Sequence, residues 1–179
     1  MRAMLTLLCA VANLALIDKS MVLWDGRKHA VAEGWVGSQC KTATIKKIDS
    51  TIRFHTEHPK TFAEWGFQWA PYQPEFQGTD IRPFKAVALE LRGYGPQLPN
   101  DLLLSLRSPG DHHLTVNDSL VKREPNLWDG RWHRIVVPMT DLKARDDKFD
   151  PEHVVNVILG VWVEQGNFTV DLRRVELLR

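Results

Sequence analysis

Three groups of side chains in this sequence could do chemistry. The first is tryptophan: the chain holds seven Trp against two Tyr, and an indole offers a large rigid apolar plane with one polar handle. A sugar ring shows one face of C–H groups and a rim of hydroxyls, so an outward Trp beside donors and acceptors would suit it. Trp162 with Glu164, Arg92, Glu90, Arg107 and Gln68 makes such a set if their strands are neighbours. The competing reading is a solvated sheet face whose cross-strand ion pairs are worth about 0.2–1 kcal/mol each. The second group is carboxylates, since Glu90 and Glu164 on one face could flank a glycosidic bond as acid and base. The third is histidine, in His55-x-x-His58, His112-His113 and His133. Neighbouring residues of a strand point to opposite faces and zinc needs three or four convergent ligands, so this spacing argues against a zinc or copper site. His112 and His113 are expected in a solvated loop after Pro109-Gly110-Asp111.

The elements that must position these residues are strands. From Val22 onward apolar residues recur with period two, and turn residues separate the runs. Strands are expected over Thr42–Lys47, Thr51–Thr56, Phe62–Trp69, Lys85–Arg92, Asp101–Arg107, Trp132–Met139, Val154–Glu164 and Asn167–Leu178. Most prolines fall between or at the edges of these runs, where a missing N–H costs no ladder bond. Thr140–Arg145 could make one helical turn. The pattern predicts an all-β protein, a two-sheet antiparallel β-sandwich of jelly-roll type. Alternation turns Leu89, Leu91, Leu104, Leu106, Ile52, Phe54, Trp65, Phe67 and Trp69 inward. It sends Glu90, Arg92, Ser105, Arg107, Arg53, His55 and Gln68 outward, and likewise Asn156, Gly160, Trp162 and Glu164. The last strand changes parity between Leu172 and Val175, which predicts a bulge near Arg173 and Arg174. Leu23-Trp24-Asp25-Gly26 and Leu127-Trp128-Asp129-Gly130 repeat one another as turn chemistry, Asp-Gly tolerating positive φ.

A length of 179 residues suits one domain with a full core, and 44% hydrophobic with 25% charged residues is ordinary globular composition. Lys and Arg number 23 against 22 Asp and Glu; without a basic stripe, nucleic acid is not an expected partner. Residues 1–20 read as a signal peptide, with Arg2, an apolar stretch from Met4 to Ile17 and small residues at Ala10-Val11-Ala12. The domain is then 21–179, secreted or periplasmic, away from the membrane after processing, and monomeric. The alternative is that the apolar stretch is a buried strand or helix of the fold. Cleavage would leave Cys40 without an internal disulfide partner, and Leu8 before Cys9 departs from a lipid-anchor site.

Several segments together resemble a family. Trp65-Gly66-Phe67-Gln68-Trp69, then Gly78-Thr79-Asp80-Ile81 and Phe84-Lys85-Ala86 leading into Leu89-Glu90-Leu91-Arg92, resemble the carbohydrate-binding jelly rolls with a galactose-binding-like fold. Asp129-Gly130-Arg131-Trp132-His133 running into Val136-Val137-Pro138 continues the likeness, and Phe168-Thr169-Val170-Asp171 resembles the closing strand. The resemblance implies a non-catalytic domain that binds a polysaccharide or oligosaccharide on a sheet face or loop rim. It also implies a structural calcium, with Asp171 and Asp25 as candidate ligands, although calcium needs six to eight oxygens and Leu172 stands where a second acid is common. Two other readings use the same scaffold. One is a polysaccharide-degrading lyase or glycoside hydrolase, against which the sequence lacks Glu-x-Asp-x-x-Glu, Gln-x-His and Tyr-x-Lys strands. The other is a protein-interaction or adhesion domain.

Overall fold

The computed structural model describes residues 20–26, 43–57, 62–68, 78–162 and 166–179; within them the side chains at positions 62, 63, 67, 68 and 162 are left out of the description. Residues 1–19, all but the last residue of the expected signal peptide, lie outside the described residues, as do Glu164 and Trp69.

The described chain is nearly all strand: β1 Met21–Trp24, β2 Thr44–Ile48, β3 Thr51–Glu57, β4 Phe62–Gln68, β5 Ala86–Gln97, β6 Leu103–Ser108, β7 His112–Val116, β8 His133–Pro138, β9 Leu142–Ala144, β10 Asn156–Trp162 and β11 Asn167–Leu178. One short helix, α1, covers Leu120–Arg123, and a 3-10 turn covers Met139–Asp141. The strands form two antiparallel sheets. The first has the order β2-β3-β11-β5-β8 with β1 also paired to β11, and the second the order β4-β10-β6-β7-β9. This is the two-sheet jelly-roll sandwich that the alternation predicts.

The core lies between the sheets because each strand turns its apolar parity inward. Leu89 and Leu91 of β5, Ile52 and Phe54 of β3, and Phe168, Val170 and Leu172 of β11 meet Leu104 and Leu106 of β6 with Val157, Leu159 and Val161 of β10, all buried. The Phe54 and Trp65 rings stack across the sandwich, centroids 3.5 Å apart with planes 1° from parallel, joining β3 to β4. The β11 register shifts between Leu172 and Arg174, the expected bulge, so that Val175 and Leu177 rejoin the core. Gly26 and Gly130, at matching places in the two Trp-Asp-Gly turns, have φ of 77° and 79°, a conformation a side chain would strain.

Some local expectations fail. His112 and His113 belong to strand β7 rather than a loop: they pair with Ser108 and Arg107 of β6, and Leu114 and Val116 carry the inward parity of the strand beyond them. Thr140–Arg145 is split between the 3-10 turn and β9. In α1, the buried Ser119 at the N-cap accepts from the Val121 N–H and also from the Leu102 N–H at 2.8 Å, pinning the helix to the strand side of the core.

Candidate functional site

Each sheet has one outer face, and the two faces differ in chemistry. On the second sheet, the strand register lines up positions 68, 156, 107 and 113 in one cross-strand row, Gln68 opposite Asn156, Asn156 opposite Arg107 and Arg107 opposite His113. A parallel row runs Gly66, Ile158, Ser105, Thr115 and Lys143. The inward parity of β6 and β10 is taken by Leu104, Leu106, Val157, Leu159 and Val161, so Asn156, Ser105 and Arg107 necessarily occupy the outer side.

Polar groups converge on this face. At the β6–β7 hairpin, Asp111 accepts from His113 Nε2 at 3.0 Å and pairs with Arg107 Nη1 at 3.3 Å. The hydrogen bond from His113 and the charges of His113 and Arg107 hold the Asp111 carboxyl below its ordinary value against a smaller cost of burial. Ser105 and Thr115 share a hydroxyl hydrogen bond of 2.9 Å, and Arg145 Nε donates to Thr115 at 3.0 Å. Asn156 is 1% exposed, and its Oδ1 has no hydrogen-bond partner among the described residues. A buried amide oxygen requires a donor. The face thus combines donors and acceptors, as a hydroxyl-rich molecule requires.

The first sheet is different: its outer face is a network of ion pairs. Asp171, with a side chain 0% exposed, is gripped by two guanidinium groups. Arg53 donates to it through Nε at 2.8 Å and Nη2 at 3.0 Å, and Arg92 through Nε at 2.9 Å. Burial is the largest influence on this carboxyl and opposes its ionisation, yet the hydrogen bonds and charges of Arg53 and Arg92 outweigh it and hold the pKa below the ordinary value. Arg173 Nε donates to Glu90 at 2.6 Å, while Glu176 is engaged by Arg174 and by Arg134, the latter at 2.7 Å. Two aromatic rings sit among these groups. The Arg92 and Arg173 guanidiniums lie 4.7 and 4.4 Å from the Trp132 ring centroid, and both Arg53 and Arg92 approach Tyr94 at about 6 Å. A cavity of about 290 Å³ beside them is lined by Asp25, Ser50, Glu90, Arg173 and Arg174.

The residues singled out in the sequence are therefore divided. Gln68, Trp162 and Arg107 lie on β4, β10 and β6, which are neighbours in the second sheet, whereas Glu90 and Arg92 lie on β5 in the first. The single binding set is corrected on this point, because β5 pairs with β11 and β8 and never with β10. Of Gln68 and Trp162 only the strand positions are described, and Glu164 lies outside the described residues. Of the two carboxylates considered as a catalytic pair, Glu90 is bound to Arg173 on the first sheet, and Glu164 lies outside the described residues.

The two carboxylates named as calcium candidates, Asp171 and Asp25, have different surroundings. Both oxygens of Asp171 accept from guanidinium groups, which would repel a cation. Asp25 follows β1, whose Trp24 pairs with Val175, four residues along β11 from Asp171; that is about 13 Å of strand. Among the described residues no three or more His, Cys, Asp or Glu are grouped to hold a metal ion, and no helix is long and apolar enough to cross a membrane. Sequence reasoning left out Asn156, Ser105 and His113 as site residues, although the outward parity of Asn156 was a usable signal. It also left out the Trp132, Tyr94 and Arg53 cluster, which depends on partners far apart in the chain.

No protein-family model matches the sequence, and no curated protein sequence matches it. Solved structures do match in fold. The family 30 carbohydrate-binding module of cellulosomal cellulase Cel9D-Cel44B from Clostridium thermocellum superposes with a TM-score of 0.58 at 15% identity, covering 88% of this chain and 96% of the module. The family 11 carbohydrate-binding module from the same organism, in complex with a β-1,3-1,4-mixed-linked tetrasaccharide, gives 0.55 at 13% identity over 88% of this chain and 94% of the module. A β-1,2-glucanase from Parabacteroides distasonis gives 0.59 at 15% identity, and there this chain spans only 25% of the longer protein; it spans 22% of another long match, PfGH50B. At such identities the likeness is one of fold, the jelly-roll sandwich of carbohydrate-binding modules.

Proposed function

We propose that this chain binds a polysaccharide or oligosaccharide, without catalysis, on the outer face of the β4-β10-β6-β7-β9 sheet. The observation that carries the reading is the cross-strand row at positions 68, 156, 107 and 113, with the buried Asn156 amide oxygen at its centre and Asp111 beside it. Donors and acceptors set at the roughly 4.8 Å spacing of neighbouring strands match the spread of hydroxyls along a sugar chain. Trp162, at the same strand parity as Asn156, is the position at which an aromatic platform would complete the site. One module of this fold was solved in complex with a β-1,3-1,4-mixed-linked tetrasaccharide, so mixed-linkage β-glucan is the first probe. A polysaccharide ligand also fits a working compartment outside the cytoplasm, secreted or periplasmic.

Electrophoresis in native gels containing mixed-linkage β-glucan, xylan, mannan or agarose tests the reading. Retardation by at least one of them, reduced by Arg107→Ala and by Trp162→Ala, is expected. Migration unchanged in every gel would refute it. An unsaturated or reducing-end product released from the retained polysaccharide would instead make the chain an enzyme.

A further inference from the structure

The outer face of the first sheet has its own binding chemistry, which follows from how its charges are layered. The carboxylates Asp171, Glu176 and Glu90 have side chains 0%, 6% and 22% exposed, while Arg53, Arg92, Arg134, Arg173 and Arg174 are 32–46% exposed. The acids lie underneath and the guanidiniums lie on top. Lys46, exposed on β2 and opposite Arg53, extends the cationic layer. Asp25 at the rim of the 290 Å³ cavity adds a fourth carboxylate, close enough to Arg174 to raise its affinity for its proton.

The numbers of hydrogen-bonding sites are also unequal. Five guanidiniums carry about 25 N–H donors, against about 16 acceptor sites on four carboxylates. Donors therefore outnumber acceptors in this layer, and the guanidiniums that carry the surplus are on the side that meets solvent. Trp132 and Tyr94 stand within this layer, each within about 6 Å of two guanidiniums, and offer flat apolar surface next to positive charge.

We infer that this face is a second binding surface, for a polysaccharide whose sugar rings carry carboxylate or sulfate groups. The anionic groups would take N–H donors of Arg173 and Arg174 at the cavity and of Arg92 beside Trp132, and the ring C–H faces would lie against Trp132 and Tyr94. The inference shares with the proposed function only the premise that the ligand is a saccharide, and it assigns the opposite side of the sandwich. A nucleic acid is disfavoured because the layer is confined to six cations on one sheet above buried carboxylates, whereas a phosphate-tracking surface needs an extended basic stripe.

Titration calorimetry of the full chain with polygalacturonate and with κ-carrageenan tests the inference and separates carboxylate from sulfate recognition. Mixed-linkage β-glucan and a single-stranded DNA of matched charge serve as further titrants. Binding to at least one anionic polysaccharide is expected, weakening as salt rises. Arg173→Gln and Lys46→Glu should each reduce it roughly tenfold, as loss of a charge-assisted contact does. Lys46 joins no ion pair among those described above, so its variant stays informative if Arg173→Gln is unstable in a melt. No binding to either polysaccharide, affinity unchanged in both variants, or equal affinity for the DNA would overturn the inference. Neutral-glucan binding is read on its own titrant, so either surface can fail while the other stands.

Discussion

Replacing Asp171 by alanine should destabilise this protein more than any other single exchange on its surface. The carboxylate is fully withdrawn from solvent on the outer side of β11, and guanidinium groups from β3 and β5 grip both its oxygens at 2.8–3.0 Å. It therefore joins three adjacent strands of the first sheet. Removing one partner of a buried ionic cluster typically costs about 3–5 kcal/mol, because the charges left behind are uncompensated. Arg53 and Arg92 are about a third exposed and can turn towards water, which puts the expected loss near the lower end, about 3 kcal/mol. For a chain of this length that corresponds to a fall in Tm of roughly 6–12 °C.

The pH dependence carries a sign. The folded-state pKa of Asp171 is depressed, so its contribution is fully present above the unfolded value of about 3.9 and is lost as pH falls through the folded one. Urea unfolding followed by circular dichroism, for the natural chain and Asp171→Ala, should show a constant stability gap from about pH 5 to pH 8 that narrows below about pH 4. A loss under about 1 kcal/mol at neutral pH, or a gap that persists undiminished in acid, would refute the clamp as described.

Other expectations follow from neighbouring features. At Gly93 an added Cβ would run into the Trp128 ring, so Gly93→Ala should cost about 1–3 kcal/mol in thermal or chemical unfolding. Ser119→Ala removes the α1 cap and the bond to the Leu102 N–H together, and a loss of about 1–2 kcal/mol is expected by the same measurement. Because guanidiniums occupy both oxygens of Asp171, scanning calorimetry with and without a calcium chelator should give the same midpoint; a midpoint lowered by the chelator would restore a structural cation.

How much of this was legible in the sequence depends on the range of the contacts. Alternation in β3, β5, β6 and β10 is dictated residue by residue by which side faces the core, and Leu89, Leu91, Leu104 and Leu106 are all fully buried as that pattern requires. The β11 bulge was legible for the same reason, since a parity change has no other economical cause in a strand. His112 and His113 were not, because two successive histidines mark no apolar side and the strand's inward parity shows only at Leu114 and Val116 beyond them. Sheet membership is a property of topology: nothing local distinguishes Glu90 on β5 from Arg107 on β6, yet they lie on different sheets. The Asp171 clamp joins residues 118 and 79 positions apart, a separation at which the sequence carries no pairing signal. Asn156 was read as outward, but its place as the hub of the polar row emerges only once Gln68 and Arg107 stand on either side of it.

The most direct test of the account is where a bound glycan touches the protein. Amide chemical-shift changes during titration with mixed-linkage β-glucan oligosaccharides, or with whichever neutral polysaccharide retards the chain, should concentrate on β4, β10, β6 and β7 and include Asn156, Arg107 and His113. Shifts confined to other parts of the chain, or none at saturating concentrations of every glycan tried, would contradict it.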